Sequence, residues 1–477
     1  MKIKVVGAAG GEVTGSAYFV QTKRANILVD AGMFQGGSKS EAKNRLPPGV
    51  KLAELDAVLL THAHLDHTGR VPLLIKHGYS RGIFATAATI ELAELILQDS
   101  ARLQTHDAQR INRTRHLSVH GPVEPLYSPE HVAPFRQMAR PVPFGEPVEV
   151  AGGVSARWIE AGHILGSASI ELTVQEDARK SIVVFSGDLG PTDRPIIRDF
   201  DYLNHADIVF LESTYGDRDH RAYSETVAEF EELVMRAAKA RGRILVPTFA
   251  IGRAQQMLYH LAIMFHRGMV KPFHVYLDSP MAIEASKEMV THPELFDEEL
   301  LEWRSRGLLP LDKAWFHASV TARDSQSLNT AEGPCLILAG AGMCNGGRIL
   351  HHLRHGLPLD NTNVLIVGYQ SQGSVGRRLV ERAKSVSIFG EKICVRANIN
   401  TLGGFSAHAG QSDLLKWFAP LAASRPQIIL THGEDVPRKS LAAAIRQRFS
   451  LTSQLPSQGG VIEVSSSLAA ASQSLAS

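Results

Sequence analysis

The sequence predicts an α/β protein in which one α/β domain is inserted into another, and three observations carry that expectation. Up to about Tyr215, short β-rich runs alternate with Gly and Asp, as in "KIKVVG", "SAYFVQT", "NILVDAG" and "DAVLLTH". From there the texture changes to helix, strand, helix in "SETVAEFEELVMRAAKARGRILVPTFAIGRAQQMLYHLAIMF". Near the end, "FSAHAGQSDLLKWF" and "PQIILTHGE" return to the grammar of the first region. The expected boundaries are 1–215 for the first part of the host domain, 216–404 for the insert and 405–464 for the return segment. Residues 465–477, only Ser, Ala, Leu and Gln, read as a disordered tail.

Taken in order, the early strands lie close together with turn residues between them, which predicts a sheet made mostly of hairpins. "TIELAELILQDSARL" gathers Ile90, Ala93, Leu95, Ile96 and Leu97 on one broad face, as a helix covering that sheet would. "VSARWIEAGHILGSASIEL", "KSIVVFSGDLG" and "ADIVFLESTYG" each place a polar or acidic residue just past an apolar strand, where α/β folds put their chemistry. In the insert, Gly242 stops a helix and "RILVP" reads as a buried strand. "PCLILAGAGMCNGGRILHHL", "TNVLIVGYQSQG" and "ICVRANI" continue the alternation, predicting a parallel sheet.

Composition limits the function classes. A chain of 477 residues with 44% hydrophobic and 21% charged residues is an ordinary globular protein, long enough for two or three domains. A net charge of +2 and a pI near 8.4 are too mild to announce nucleic-acid binding, so any site for a polyanion must be local. No apolar run reaches the roughly 18 residues of a membrane span, and the opening "MKIKVVGAAGGEVTG" lacks the apolar core of a secretory signal. Cys335, Cys344 and Cys394 form no CxxC pair and are odd in number, which fits reduced thiols in a cytoplasm.

The stretch "THAHLDH" is the strongest chemical signal. His62 and His64, two apart on a chain leaving a strand, can point the same way, while Asp66 and His67 in the following turn can point elsewhere. One metal cannot easily use all four from so tight a loop, so two metals side by side are expected. Nitrogen and carboxylate ligands without cysteine suit zinc at an open, catalytic site. Further ligands are sought at strand ends flanked by glycine, and three stand out: His163 in "EAGHILGSAS", Asp188 in "FSGDLG" and His432 in "ILTHGE".

Asp30 in "ILVDAG", "HAHLDH", His163 and Asp188, in that order, resemble the motif series of the metallo-β-lactamase superfamily. Glu212 in "LESTYG", His408 in "FSAHAG" and His432 in "LTHGE" resemble the three additional motifs of its β-CASP branch, the nucleases related to the cleavage and polyadenylation factor endonuclease and to ribonuclease J. The resemblance runs from the first strand to about Arg438. It implies a metallo-β-lactamase αββα sandwich with an inserted α/β β-CASP domain. It further implies two Zn²⁺ per chain, with Mn²⁺ as a substitute, one held by His62, His64 and His163 and the other by Asp66, His67 and His432. Asp188 would bridge them, and Asp30 would orient the ligand loop from behind. The activity implied is hydrolysis of single-stranded RNA by a metal-activated hydroxide, internally, from a 5′ end or both, in RNA processing or decay. His408 would protonate the leaving ribose oxygen, with Glu212 holding its tautomer. A histidine in the third motif, His432, is similar to the RNA-acting members, whereas DNA-processing relatives tend to carry valine.

The insert is expected to form one wall of a cleft over the metals. "GAGMCNGGRILHHLRH" reads as a strand, a glycine turn and a helix start whose N–H groups and Arg348 could hold a backbone phosphate, and "GYQSQGSVGRR" offers Arg377 and Arg378 for the same purpose. The expected partner is therefore RNA, with no membrane, and a homodimer is compatible with the sequence. Two other readings compete: a small-molecule thioester or lactam hydrolase on the same metal core, which gives no reason for the insert, and a non-catalytic RNA-binding relative, which would have lost ligands.

Overall fold

The computed structural model describes residues 1–35, 42–114, 121–368, 370 and 373–463. The tail expected at 465–477 lies outside them. The chain forms two compact units, one made of Met1–Gly190, Phe200–Arg218 and the segment from His408 onward, the other of Pro191–Asp199 and Asp219–Ala407.

The first unit is built on two seven-stranded sheets. The first runs in the order Val461–Glu463, Lys2–Val5, Tyr18–Gln21, Asn26–Val29, Ala57–Leu59, Gly82–Ala85, Ala139–Pro141. Antiparallel pairing accounts for only half of it: from Asn26–Val29 onward the neighbours are parallel. The sequence reading missed this because the later two crossovers are made by short helices, Leu65–Thr68 and Val71–Lys76, and by the long helix Ala87–Thr114. The second sheet runs Ser453–Gln454, Gln427–Thr431, Ile208–Glu212, Arg179–Phe185, Ala168–Glu176, Val154–Glu160, Val148–Ala151.

The two sheets pack face to face because their inward residues are uniformly apolar. Val5, Val20, Ile27, Val29 and Leu59 from one meet Trp158, Ile170, Leu172, Phe185, Phe210 and Ile429 from the other in a single core. Fully burying each such side chain stabilises the fold by about 1.5–3 kcal/mol. Two hydrogen bonds cross this layer and fix how the sheets sit: Trp158 Nε1 donates to the Leu60 carbonyl (2.9 Å), and the Tyr18 hydroxyl meets Thr431 Oγ1 (2.8 Å). On the outer face of the second sheet, Val184, Val209 and Leu211 pack against Leu414, Trp417 and Phe418 of helix Gln411–Phe418 and Leu441 and Ile445 of helix Asp435–Phe449. The layers are those of an αββα sandwich.

The second unit carries a six-stranded, wholly parallel sheet in the order Phe316–Ala318, His274–Asp278, Cys335–Ala339, Arg243–Pro247, Thr362–Ile366, Asn398–Thr401. Its central strands are apolar on both faces, as a parallel sheet between helices requires. Helices Tyr223–Lys239 and Arg253–His266 cover one face, and Arg348–Gly356 and Val375–Val380 cover the other. Residues 191–199, which the sequence reading leaves with the first region, pack in this unit. Ile196 N donates to Asp297 Oδ2 (2.7 Å), and the Arg194 guanidinium lies 4.1 Å from the Tyr223 ring centroid. Such a link between distant residues leaves no periodic signal in the chain.

Candidate metal centre

Six strand ends of the sandwich deliver polar side chains to one place. Parallel pairing of Phe185 with Phe210 and of Glu212 with Thr431 brings Asp188, Glu212 and His432 out at the same end of the second sheet. Ala168 N donates to the Thr61 carbonyl (2.8 Å), so the loop after Ala57–Leu59 in the first sheet joins them. Glycine permits the close crossings. A Cβ on Gly32 would lie 1.5 Å from the Asp66 carbonyl oxygen, and one on Gly190 would lie 1.7 Å from that of Gly162. Asp30 and His432 both have positive φ, 56° and 52°, a conformation that costs about 1–3 kcal/mol outside glycine and that the surrounding bonds must hold.

The ligand atoms fall into two groups, His62, His64, His163 with Asp188, and Asp66, His67 with His432, each within 4.8 Å. Asp188 faces both. Its Oδ1 lies 3.2 Å from His67 Nε2 and 3.4 Å from His432 Nε2, while its Oδ2 lies 3.5 Å from His62 Nε2 and 3.7 Å from His163 Nε2. Asp30 accepts from His67 Nδ1 (2.8 Å), from Thr61 N and from Thr61 Oγ1, so it fixes both the ring and the loop that carries it. On the far side, His408 Nδ1 lies 3.3 Å from Glu212 Oε1 and 4.0 Å from Asp188 Oδ2. Glu212 is itself held by Leu189 N and Thr214 N.

Electrostatics show what the centre lacks. Burial raises the Asp188 carboxyl, but His432, His67 and His62 outweigh it and hold it well below the usual range. Burial disfavours charge on His67, yet Asp188 and Asp30 push its pKa well above normal, and Asp188 and Asp66 raise that of His432. Burial, with His67 nearby, drives His62 well below its ordinary value. Buried carboxylates are drawing protons onto neighbouring imidazoles, which is a demand for positive charge. His62 Nε2 and Asp188 Oδ1 are buried without a hydrogen bond, and the ring nitrogens of His163 and His64 converge to 3.1 Å. A cation satisfies all of these at once, so the donor set fits a divalent metal site.

Every predicted ligand, together with Asp30, Glu212 and His408, is brought to this centre. The three arginines are in the other unit, and each has a partner within the protein. The Arg348 guanidinium donates to Asp278 Oδ1 (2.7 Å) and to the Ser319 and Val320 carbonyls, and so braces the fold. Arg377 pairs with Glu381, and Arg378 donates to the Ser385 carbonyl. Two threonines were missed. Thr61 Oγ1 lies 3.1 Å from His62 Nδ1, and Thr214 Oγ1 lies 3.1 Å from His432 Nδ1. The available signal was adjacency: Thr61 precedes His62, and Thr214 follows "ES" in the Glu212 motif.

Fold and site together define a hydrolase of the metallo-β-lactamase superfamily. Residues 10–238 match the Metallo-beta-lactamase superfamily, 254–379 the Beta-Casp domain, and 392–456 the Zn-dependent metallo-hydrolase RNA specificity domain. Ribonuclease TTHA0252 of Thermus thermophilus is 41% identical over 438 residues, covering 91% of this chain and 94% of that protein. The chain therefore belongs to the β-CASP branch of the superfamily and is a metal-dependent ribonuclease. Transcription termination factor FttA of Methanocaldococcus jannaschii is 27% identical, covering 97% of this chain and 72% of that protein. A crystal structure of a protein of unknown function from Enterococcus faecalis V583 shares the fold, with a TM-score of 0.54 at 13% identity, covering 97% of this chain and 99% of that one.

Proposed function

We propose that the protein is a zinc-dependent nuclease that cleaves single-stranded RNA internally, with 5′-to-3′ trimming as a second mode, in cytoplasmic RNA processing or decay. The observation that carries this is the position of Asp188, with one carboxylate oxygen toward each of two histidine-rich groups. His62, His64 and His163 would hold one Zn²⁺, Asp66, His67 and His432 the other, and Asp188 both, with Mn²⁺ as a substitute. When bound, such a pair supplies Lewis acidity toward a phosphodiester and lowers the pKa of water from about 15.7 toward about 7.

The chain's own residues provide the rest. Asp30 and Thr61 orient the loop of ligands, and Thr214 orients His432. His408 is the proton donor. Burial opposes its charge, but the Glu212 carboxylate beside it raises its pKa to about 9. With Nδ1 turned toward Glu212, Nε2 is the nitrogen that passes a proton to the departing ribose oxygen. No described helix is long and apolar enough to cross a membrane.

The test is cleavage of end-labelled single-stranded RNA, beside matched DNA, by the wild type and His408→Ala at equal zinc content. RNA cut by the wild type, and about 10²- to 10⁴-fold more slowly by the variant, supports the reading. Failure of both to cut RNA with metal bound, alongside hydrolysis of simple thioesters, would transfer the site to small-molecule hydrolysis.

A further inference from the structure

Beyond the metal centre, the carboxyl end of the parallel sheet in the second unit holds an exposed aromatic ring on a built support. Phe249 follows strand Arg243–Pro247, which lies between Cys335–Ala339 and Thr362–Ile366. The loops after those two flanking strands place glycine against the ring. A Cβ on Gly342 would lie 2.8 Å from the ring's Cδ2 and Cε2 atoms, and one on Gly368 would lie 3.2 Å from Cε2. Gln370, itself only 5% exposed, ties the two loops together: its Nε2 donates to the carbonyls of Gly342 (2.8 Å) and Gly368 (3.2 Å). Thr248 N donates to the Ala339 carbonyl (3.0 Å) and fixes the root of the Phe249 loop.

A phenylalanine that packed for stability would be covered. Here the ring remains 38% exposed although three strand ends converge to hold it. A side chain at Gly342 would collide with it and one at Gly368 would crowd it, so the support is shaped to the ring. The carboxyl ends of parallel strands are where open α/β sheets bind ligands. Helices Arg253–His266 and Arg348–Gly356 begin from two of these same loops, so their positive ends favour an anionic chain nearby. A flat, rigid ring presented beside a field that attracts phosphate suits a nucleobase, because every base has a π-face and the backbone that carries it is anionic.

We propose that Phe249 is a stacking platform for one nucleobase of the single-stranded RNA, held open by Gly342, Gly368 and Gln370. This rests on the ribonuclease reading, and it adds a contact that is tolerant of sequence and indifferent to the sugar.

Four zinc-loaded full-length proteins test it: wild type, Phe249→Ala, Phe249→Leu and Phe249→Tyr. For RNA cleavage, Ala and Leu are expected to raise KM about tenfold or more, with the loss in KM rather than kcat, and Tyr to restore it. In a His408→Ala background, fluorescence anisotropy should show the same order of affinities for a short single-stranded RNA. An oligomer of the same length with base-free ribose phosphates should bind all four alike. Leu matching Phe in KM, or an equal loss on the base-free oligomer, would overturn the stacking role and leave the nuclease reading standing. A wild type that binds RNA in a Phe249-dependent way yet cuts none would sink the nuclease reading and leave the platform standing.

Discussion

The carboxyl-terminal strand ends of the two units are built on opposite principles. In the sandwich they carry ionisable side chains: Asp30, His62, Asp188, Glu212 and His432, all buried. In the inserted unit the same positions carry Thr248, Gly340, Gly342 and Gly368, with Asp278 the buried acid among them. Asp278 is satisfied by protein donors, Arg348, His352 and Ser325, whereas the acids of the sandwich face histidines that still call for a cation. The contrast separates a region organised around charge it must import from one organised around backbone access. It also explains why an arginine in the second region braces an acid, while the histidines of the first converge on one another and on Asp188.

Breaking the first region should have the largest effect. Asp188→Ala removes the carboxylate shared by both histidine groups, so RNA cleavage should fall to background and metal content, read by atomic spectroscopy, should drop with it. Metal that binds the folded state adds stability by mass action, so chelation should lower the wild-type unfolding midpoint and leave that of the variant nearly unmoved. Full metal retention by Asp188→Ala would show that the two groups bind independently.

A smaller effect is expected one layer out. Thr214→Val deletes the hydroxyl beside His432 Nδ1 while keeping the side chain's volume, and loss of such a supporting contact typically costs about 10- to 100-fold in metal affinity or activity. Competition with a chromophoric chelator measures it. An unchanged zinc affinity would mean that the positive-φ backbone at His432 orients the ring unaided.

How much of this was legible follows from the same contrast. The ligands could be read because imported charge needs particular residue types, and "THAHLDH" crowds four of them into one loop, with His163, Asp188 and His432 each standing in a glycine turn after an apolar strand. The second region could be read only as a parallel α/β layout, since backbone access leaves glycines that any turn might have. The bracing bonds of Arg348 were not legible for a related reason. A basic residue opening a helix after a glycine turn looks like a phosphate site, and its acid partner, Asp278, is 70 residues away in sequence. Thr61 and Thr214 were missed because a hydroxyl has no signature until its neighbour in space is known.

The smallest effect sharpens the comparison from the second region. Asp278 is fully buried, with His352 Nε2 at 2.6 Å, Ser325 Oγ at 2.6 Å and Arg348 Nη1 at 2.7 Å. Burial pushes its carboxyl up, but the hydrogen bonds from His352, Ser325 and Arg348 outweigh this and hold it below the ordinary value. A carboxylate depressed in the folded state contributes stability that is fully present above its unfolded value, about 3.9, and is lost as pH falls through its folded value. Asp278→Asn should therefore be less stable than wild type at neutral pH, by a margin that shrinks below about pH 4. Urea unfolding at each pH measures that margin, and metal content should be unaffected because the acid already has its partners. A margin that instead tracked added zinc would mean that the two regions share one electrostatic demand, and the contrast between them would fail.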